Sequence, residues 1–167
     1  MKIILLVLFS FLFFFNVNAQ ETYRFEFEKE CGDPTTESQI YPEWSAKVLK
    51  INEDNTIKVK TDKGKKITIT LAGIDLAQNK DELNKILTDK LLSKKILYSG
   101  NSEKKKPNKI EAIIEIDSFD INRFLIEKGF SKYKNTNYYY SVSTYQLCVY
   151  QQLEERAKQA KLGIWAK

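Results

Sequence analysis

From Ala46 onward, apolar and polar positions alternate with a period of two. Val48, Ile51, Ile57 and Val59 have lysines between them, and Ile67, Ile69 and Leu71 are separated by Thr68 and Thr70. β-Branched residues repeated at that spacing mark half-buried strands. Asp62-Lys63-Gly64, between the second and third runs, supplies a residue tolerant of positive φ and so predicts a hairpin. Glu53-Asp54-Asn55 is a similar turn between the first two runs. The three runs predict a meander over about residues 45–74.

The period then changes to that of a helix. Asn79 and Glu82 form a capping-box pattern, and Leu83, Ile86, Leu87 and Leu91 follow at helical spacing. Lys95–Ser99 reads as a short strand, Asn101–Asn108 as a polar turn, and Ile110–Ile116 as another strand. Asp120 caps a second helix carrying Ile121, Phe124 and Leu125, stopped by Gly129. Tyr145–Leu162 is a long amphipathic helix with Val149, Tyr150, Leu153, Ala157 and Ala160 on one face. Gly163 ends it, and Ile164-Trp165 is an apolar pair expected to anchor the chain end. Five strands, broken by a helix after the third and followed by helices, fit an α+β, mainly β fold. The expected architecture is a five-stranded Greek-key barrel of the OB type with about three helices packed on it.

The N-terminus follows neither period. Met1-Lys2 precedes a thirteen-residue apolar run, Ile3–Phe15, broken only by Ser10, with small residues Val17 and Ala19 beyond it. That is the pattern of a secretory signal cleaved after Ala19. As a helix the run spans about 20 Å, short of the ~30 Å hydrocarbon core, which argues against a stable membrane anchor after cleavage. The expected organisation is a signal peptide over 1–19, an irregular arm over 20–44 and one barrel domain over 45–167. Export to the periplasm or cell exterior permits a disulfide, and the chain has two cysteines, Cys31 and Cys148. They form either one bridge from the arm to the last helix, or Cys148 is a small buried hydrophobe. An unpaired exported thiol is a liability, which favours the bridge.

Composition narrows the chemistry. The chain has no histidine, which excludes Ser-His-Asp triads, HExxH zinc sites and histidine-based nucleases. It carries 27 basic and 22 acidic residues, net +5, yet only Arg24, Arg123 and Arg156 are arginine. Lysine binds phosphate as a point charge and lacks the planar fork of a guanidinium.

Three stretches, in this order, resemble the staphylococcal nuclease (thermonuclease) family over about Ala46–Trp165. They are Ala46–Ile57; Thr70-Leu71-Ala72-Gly73-Ile74-Asp75-Leu76-Ala77-Gln78; and Ile121-Asn122, Leu125 and Lys128-Gly129 with Ala157-Lys158 and Leu162-Gly163-Ile164-Trp165. The resemblance implies calcium-assisted hydrolysis of phosphodiesters. In that chemistry carboxylates of the first turn and of the Ile-Asp stretch hold the metal, a glutamate handles the attacking water, and two arginines neutralise the phosphorane. Calcium wants several charged oxygen ligands, and the transition state wants fixed, forked cations.

By the same resemblance, the metal positions are Asn55, Asp75 and the carbonyl of Leu76, of which only Asp75 keeps its carboxylate. The catalytic positions are Thr70 and Lys109 for the arginines and Gln78 for the glutamate; Ala77 replaces the proline. A lost general base costs about 10²–10⁴-fold and a lost transition-state donor about 10²–10³-fold. The expectation is a catalytically degenerate, exported module with a weak or lost Ca²⁺ site and no required cofactor. It would bind nucleic acid or another ligand, with a monomer assumed. A weak metal-dependent endonuclease using Asp75, Asn55 and Gln78 is the first alternative, and a protein- or glycan-binding module the second. Lys104-Lys105-Lys106 beside Lys109 is either a phosphate-attracting cluster or a solvated turn, and Tyr138-Tyr139-Tyr140 either a stacking platform for bases or a packing element.

Overall fold

In a computed structural model of the chain, which describes residues 30–32, 43–76, 80–102, 108–134 and 142–166, the period-two runs form the expected meander. β1 (Glu43–Ile51), β2 (Ile57–Thr61) and β3 (Lys66–Leu71) pair antiparallel in that order, with Gly64 at φ 80° in the hairpin. The apolar leader Ile3–Phe15, the expected cap Asn79, Gln78, Lys104–Lys106 and Tyr138–Tyr140 lie outside the described residues.

After the short β4 (Ile74–Asp75) comes α1 (Lys80–Leu91), then β5 (Lys95–Ser102) and β6 (Lys109–Ile116). β5 pairs antiparallel with β1 and with β6, and β6 pairs parallel with β3, from Thr68↔Lys109 to Leu71↔Ala112. That last ladder closes a five-stranded barrel. Its lumen is the core: Ala46, Val48, Ile57, Val59, Ile69, Leu71, Ile96, Ala112 and Ile114 are all buried. Leu83, Leu87 and Leu91 of α1 are buried as a stripe at four-residue spacing, while Ile86 sits at its edge, half-buried.

β7 (Phe119–Asp120) leads into α2 (Ile121–Glu127), and β8 (Lys132–Tyr133) pairs with β4. Asp120 is the N-cap of α2, its Oδ1 accepting from the Arg123 N–H at 2.9 Å. α2 buries Ile121, Leu125 and Ile126 and also the polar Asn122. Phe124 is half-buried, its ring 6.1 Å from that of Phe130. α3 (Thr144–Gln159) opens with a capping box formed by Ser143 and Gln146.

α3 ends three residues before the expected Leu162. Ala160 is the C-cap and Lys161 takes the left-handed conformation, φ 51°. Ala160 is therefore exposed rather than part of the buried stripe of Val149, Tyr150, Leu153 and Ala157. Ile164 and Trp165, in a 3₁₀ turn over Gly163–Trp165, are half-buried rather than sunk in the core. The Lys132 and Lys158 ammonium groups lie 5.3 and 5.0 Å from the centre of the indole ring, so cation–π contacts add to burial in holding it.

Cys31 and Cys148 are both disulfide-bonded, as the bridge reading expects.

Candidate functional site

The β1–β2 turn is built from short polar side chains that bond locally. Asn52 N–H donates to the Thr56 carbonyl at 2.8 Å and Asn55 N–H to the Asn52 carbonyl at 2.9 Å. Asp54 Oδ1 accepts from both the Thr56 hydroxyl (2.7 Å) and the Thr56 N–H (3.1 Å). Those bonds, the hydroxyl first, hold the Asp54 carboxyl below its ordinary range against some desolvation, and the charge of Lys109 adds to them. The turn therefore lies within electrostatic reach of β6.

Asn55 stands at φ 62°, a conformation its short amide tolerates better than most side chains. It is fully buried, at 0% exposure. Its Nδ2 donates to the Lys80 carbonyl at 3.4 Å, and its Oδ1 accepts from Asn84 Nδ2 at 3.2 Å, which also reaches the Asn52 carbonyl at 2.7 Å. Asn55 thus fastens the turn to the first turns of α1.

On the β3–β6 seam, Ile69 and Leu71 fill the barrel, so Thr68 and Thr70 face outward. In parallel register Thr68 lies opposite Lys109 and Thr70 opposite Glu111. Thr70 and Lys109 consequently share the outer face, roughly 8 Å apart on the diagonal of neighbouring strands. Asp75 lies in the separate two-stranded sheet, its backbone paired with Lys132, and is half-buried; Leu76 follows, also half-buried. Asn55, Thr70 and Lys109 belong to elements that adjoin, whereas Asp75 is drawn toward β8.

This donor set does not fit calcium. The position that would supply the turn carboxylate holds a neutral amide whose oxygen is engaged by Asn84 and whose residue is sealed from solvent. Among the described residues, no three Asp, Glu, Cys or His side chains are grouped to hold a metal ion.

One feature of the seam escapes sequence reading. Glu111 lies opposite Thr70 and brings a carboxylate to the outer face of the seam. Period two puts Glu111 on the outer face of its strand, but only the non-local parallel pairing of β3 with β6 makes Thr70 its neighbour.

The carboxyl of Asp120 is strongly perturbed. Burial raises it from 3.8 to about 6, outweighing the Arg123 N–H bond, with the charge of Glu115 adding to the rise. Its Oδ2 lies 3.5 Å from the hydroxyl of the buried Tyr150. Because the folded state binds this proton more tightly than the unfolded chain, stability contributed by Asp120 is greatest below its unfolded pKa and is lost as pH rises through about 6. Asn imitates the protonated acid and remains a good N-cap. Asp120→Asn should therefore gain about 2–3 kcal/mol over wild type near pH 8 and almost nothing near pH 4. Urea unfolding at both pH values measures this, and an equal difference at the two would contradict it.

Against known proteins, a family model described as staphylococcal nuclease homologue matches residues 68–167, more than half of the chain. No curated protein matches it.

Proposed function

Because the chain belongs to the staphylococcal nuclease homologue family, we propose that it is a member that has kept the barrel and lost the chemistry: an exported module that binds nucleic acid without cutting it. The observation that carries this reading is the burial of Asn55. A residue that serves as a metal ligand in the family chemistry here joins a turn to a helix through both ends of its amide.

The rest of the seam points the same way. Thr70 carries no charge, Glu111 adds a negative charge next to it, and Lys109 offers a point charge without a fork. A glutamine in place of the glutamate, as at Gln78, can hydrogen-bond a water but cannot accept its proton. Each of these losses is worth about two orders of magnitude or more in rate, and strong non-additivity still leaves the parent mechanism near background. Export rests on the Met1–Ala19 pattern, and the disulfide suits an oxidising compartment.

Calorimetric titration tests the reading. Calcium at millimolar levels should give no saturable heat, and an end-labelled oligonucleotide should bind equally well with calcium or with a chelator. Binding that requires calcium and disappears in Asp75→Ala would overturn it and restore the weak-endonuclease alternative.

A further inference from the structure

The strand register sets lysines opposite lysines. Lys47 of β1 is paired with Lys95 of β5 on one side and with Lys60 of β2 on the other, and Lys60 is paired with Lys66 of β3. One cross-strand row of four lysines therefore runs over four of the five barrel strands. A second row runs beside it: Lys50 opposite Lys58, Lys58 opposite Thr68, and Thr68 opposite Lys109. All seven lysines are exposed, because their strand neighbours Ala46, Val48, Ile51, Ile57, Val59, Ile67 and Ile96 point inward.

This arrangement is unfavourable in the protein alone. Residues directly opposite on paired strands have Cβ atoms about 4.5–5.5 Å apart, and like charges there destabilise the sheet. Among the described residues none of the seven is held in an ion pair, and only Lys109 acts on a lowered carboxyl, that of Asp54. The carboxylates nearest in register, Glu111, Glu43 and Glu115, flank the rows without entering them. Exposed lysines often protect sheet edges from pairing, but β1, β2 and β3 each have two partners in a closed barrel and present no edge. The rows also hold the molecule's charge excess: with a formal net charge of +5, setting aside these seven leaves the rest of the chain at −2.

We infer that the two rows are a track for the phosphodiester backbone of single-stranded nucleic acid, wound around the barrel wall across β5, β1, β2 and β3. The inference rests on the nucleic-acid reading above and names where the ligand lies: on the barrel wall, reaching the seam only at Lys109. Shape selects the partner. Three strand gaps carry the first row about 14 Å around a convex surface. A flexible single strand follows that curvature. A duplex, stiff over about 150 base pairs, does not, and a flat bilayer touches only the crest. Lysines without forks hold phosphates as point charges, so the track reads backbone and not base sequence.

The test is titration of fluorescent oligothymidylate with the purified protein over a range of salt. Each phosphate neutralised on a single strand adds about 0.7 to the slope of log affinity against log salt. A variant carrying Lys47→Gln, Lys58→Gln, Lys60→Gln and Lys66→Gln should lose up to about 3 from that slope and bind about ten-fold or more weakly at physiological salt. A charge-matched control, Lys85→Gln, Lys128→Gln, Lys134→Gln and Lys161→Gln, should change affinity by less than about three-fold, since it removes only the long-range field. The track variant should also fold, with a low-salt melting temperature no lower than wild type, because like-charge pairs are relieved. Wild-type affinity in the track variant, or equal losses in both variants, would overturn the track while leaving the nucleic-acid reading intact. Preference for a duplex of the same length would overturn the wrapped single strand. Failure to bind any oligonucleotide, with or without capture by vesicles containing anionic lipid, would overturn the nucleic-acid reading and the track with it.

Discussion

Asn122→Ala should lower the unfolding free energy by about 3–5 kcal/mol, among the largest effects of any single substitution in the domain. The side chain is fully buried and every polar atom is used. Its Oδ1 accepts from the Ile114 N–H at 3.2 Å, and its Nδ2 donates to the carbonyls of Ala72 (2.9 Å) and Ala112 (3.3 Å). One amide thus joins the start of α2 to β6 and to the end of β3. Removing it strands the Ile114 donor and the Ala72 acceptor away from water, at about 1–3 kcal/mol each, and leaves a cavity. Urea unfolding should show the midpoint falling with an unchanged slope. A loss below about 1 kcal/mol would mean that water or a shifted backbone replaces the amide.

Gly163→Ala should cost a comparable amount, about 3 kcal/mol or more, for a reason of backbone rather than polar pairing. The loops after α2 and α3 meet chain against chain: Ile164 N–H donates to the Gly129 carbonyl at 2.9 Å. A Cβ on Gly163 would lie 2.2 Å from that carbonyl oxygen, and one on Gly129 2.3 Å from the Leu162 oxygen. Both glycines also stand at positive φ, 50° and 69°. Gly64→Ala separates the two causes. Its φ is 80° but nothing lies within 4 Å of the added atom, so it carries only the conformational cost, about 1–2 kcal/mol. Joint substitution of Gly129 and Gly163 should cost less than the sum of the singles, because either one already opens the same contact. Equal losses at Gly163 and Gly64, measured by thermal unfolding, would show that the close approach contributes nothing.

Much of this fold is legible along the chain because its signals are local. The three-strand meander follows from alternation, its hairpin from Gly64, and the start of α2 from Asp120. What local signals cannot carry is partnership at a distance. The parallel ladder between β3 and β6 joins segments 41 residues apart in register and is what closes the barrel. The two-residue strands β4, β7 and β8 are too short to display a period. Gly163 reads as the stop of α3, whereas that glycine serves the contact with Gly129 and the helix has already ended, with Ala160 as its C-cap. The site divides in the same way. Substitutions at Asn55, Thr70 and Lys109 are plain from the resemblance, but the burial of Asn55 depends on Asn84, 29 residues on, and the carboxylate of Glu111 depends on register. The lysine rows are equally hidden, since alternation shows each lysine as an outward residue and only strand pairing aligns them.

The most direct measurement is turnover: protein in excess, calcium at millimolar concentration, and both single-stranded DNA and RNA as end-labelled substrates on a denaturing gel. Expected is intact strand at a rate indistinguishable from buffer and from Asp75→Ala. Calcium-dependent shortening of either strand that Asp75→Ala abolishes would contradict it.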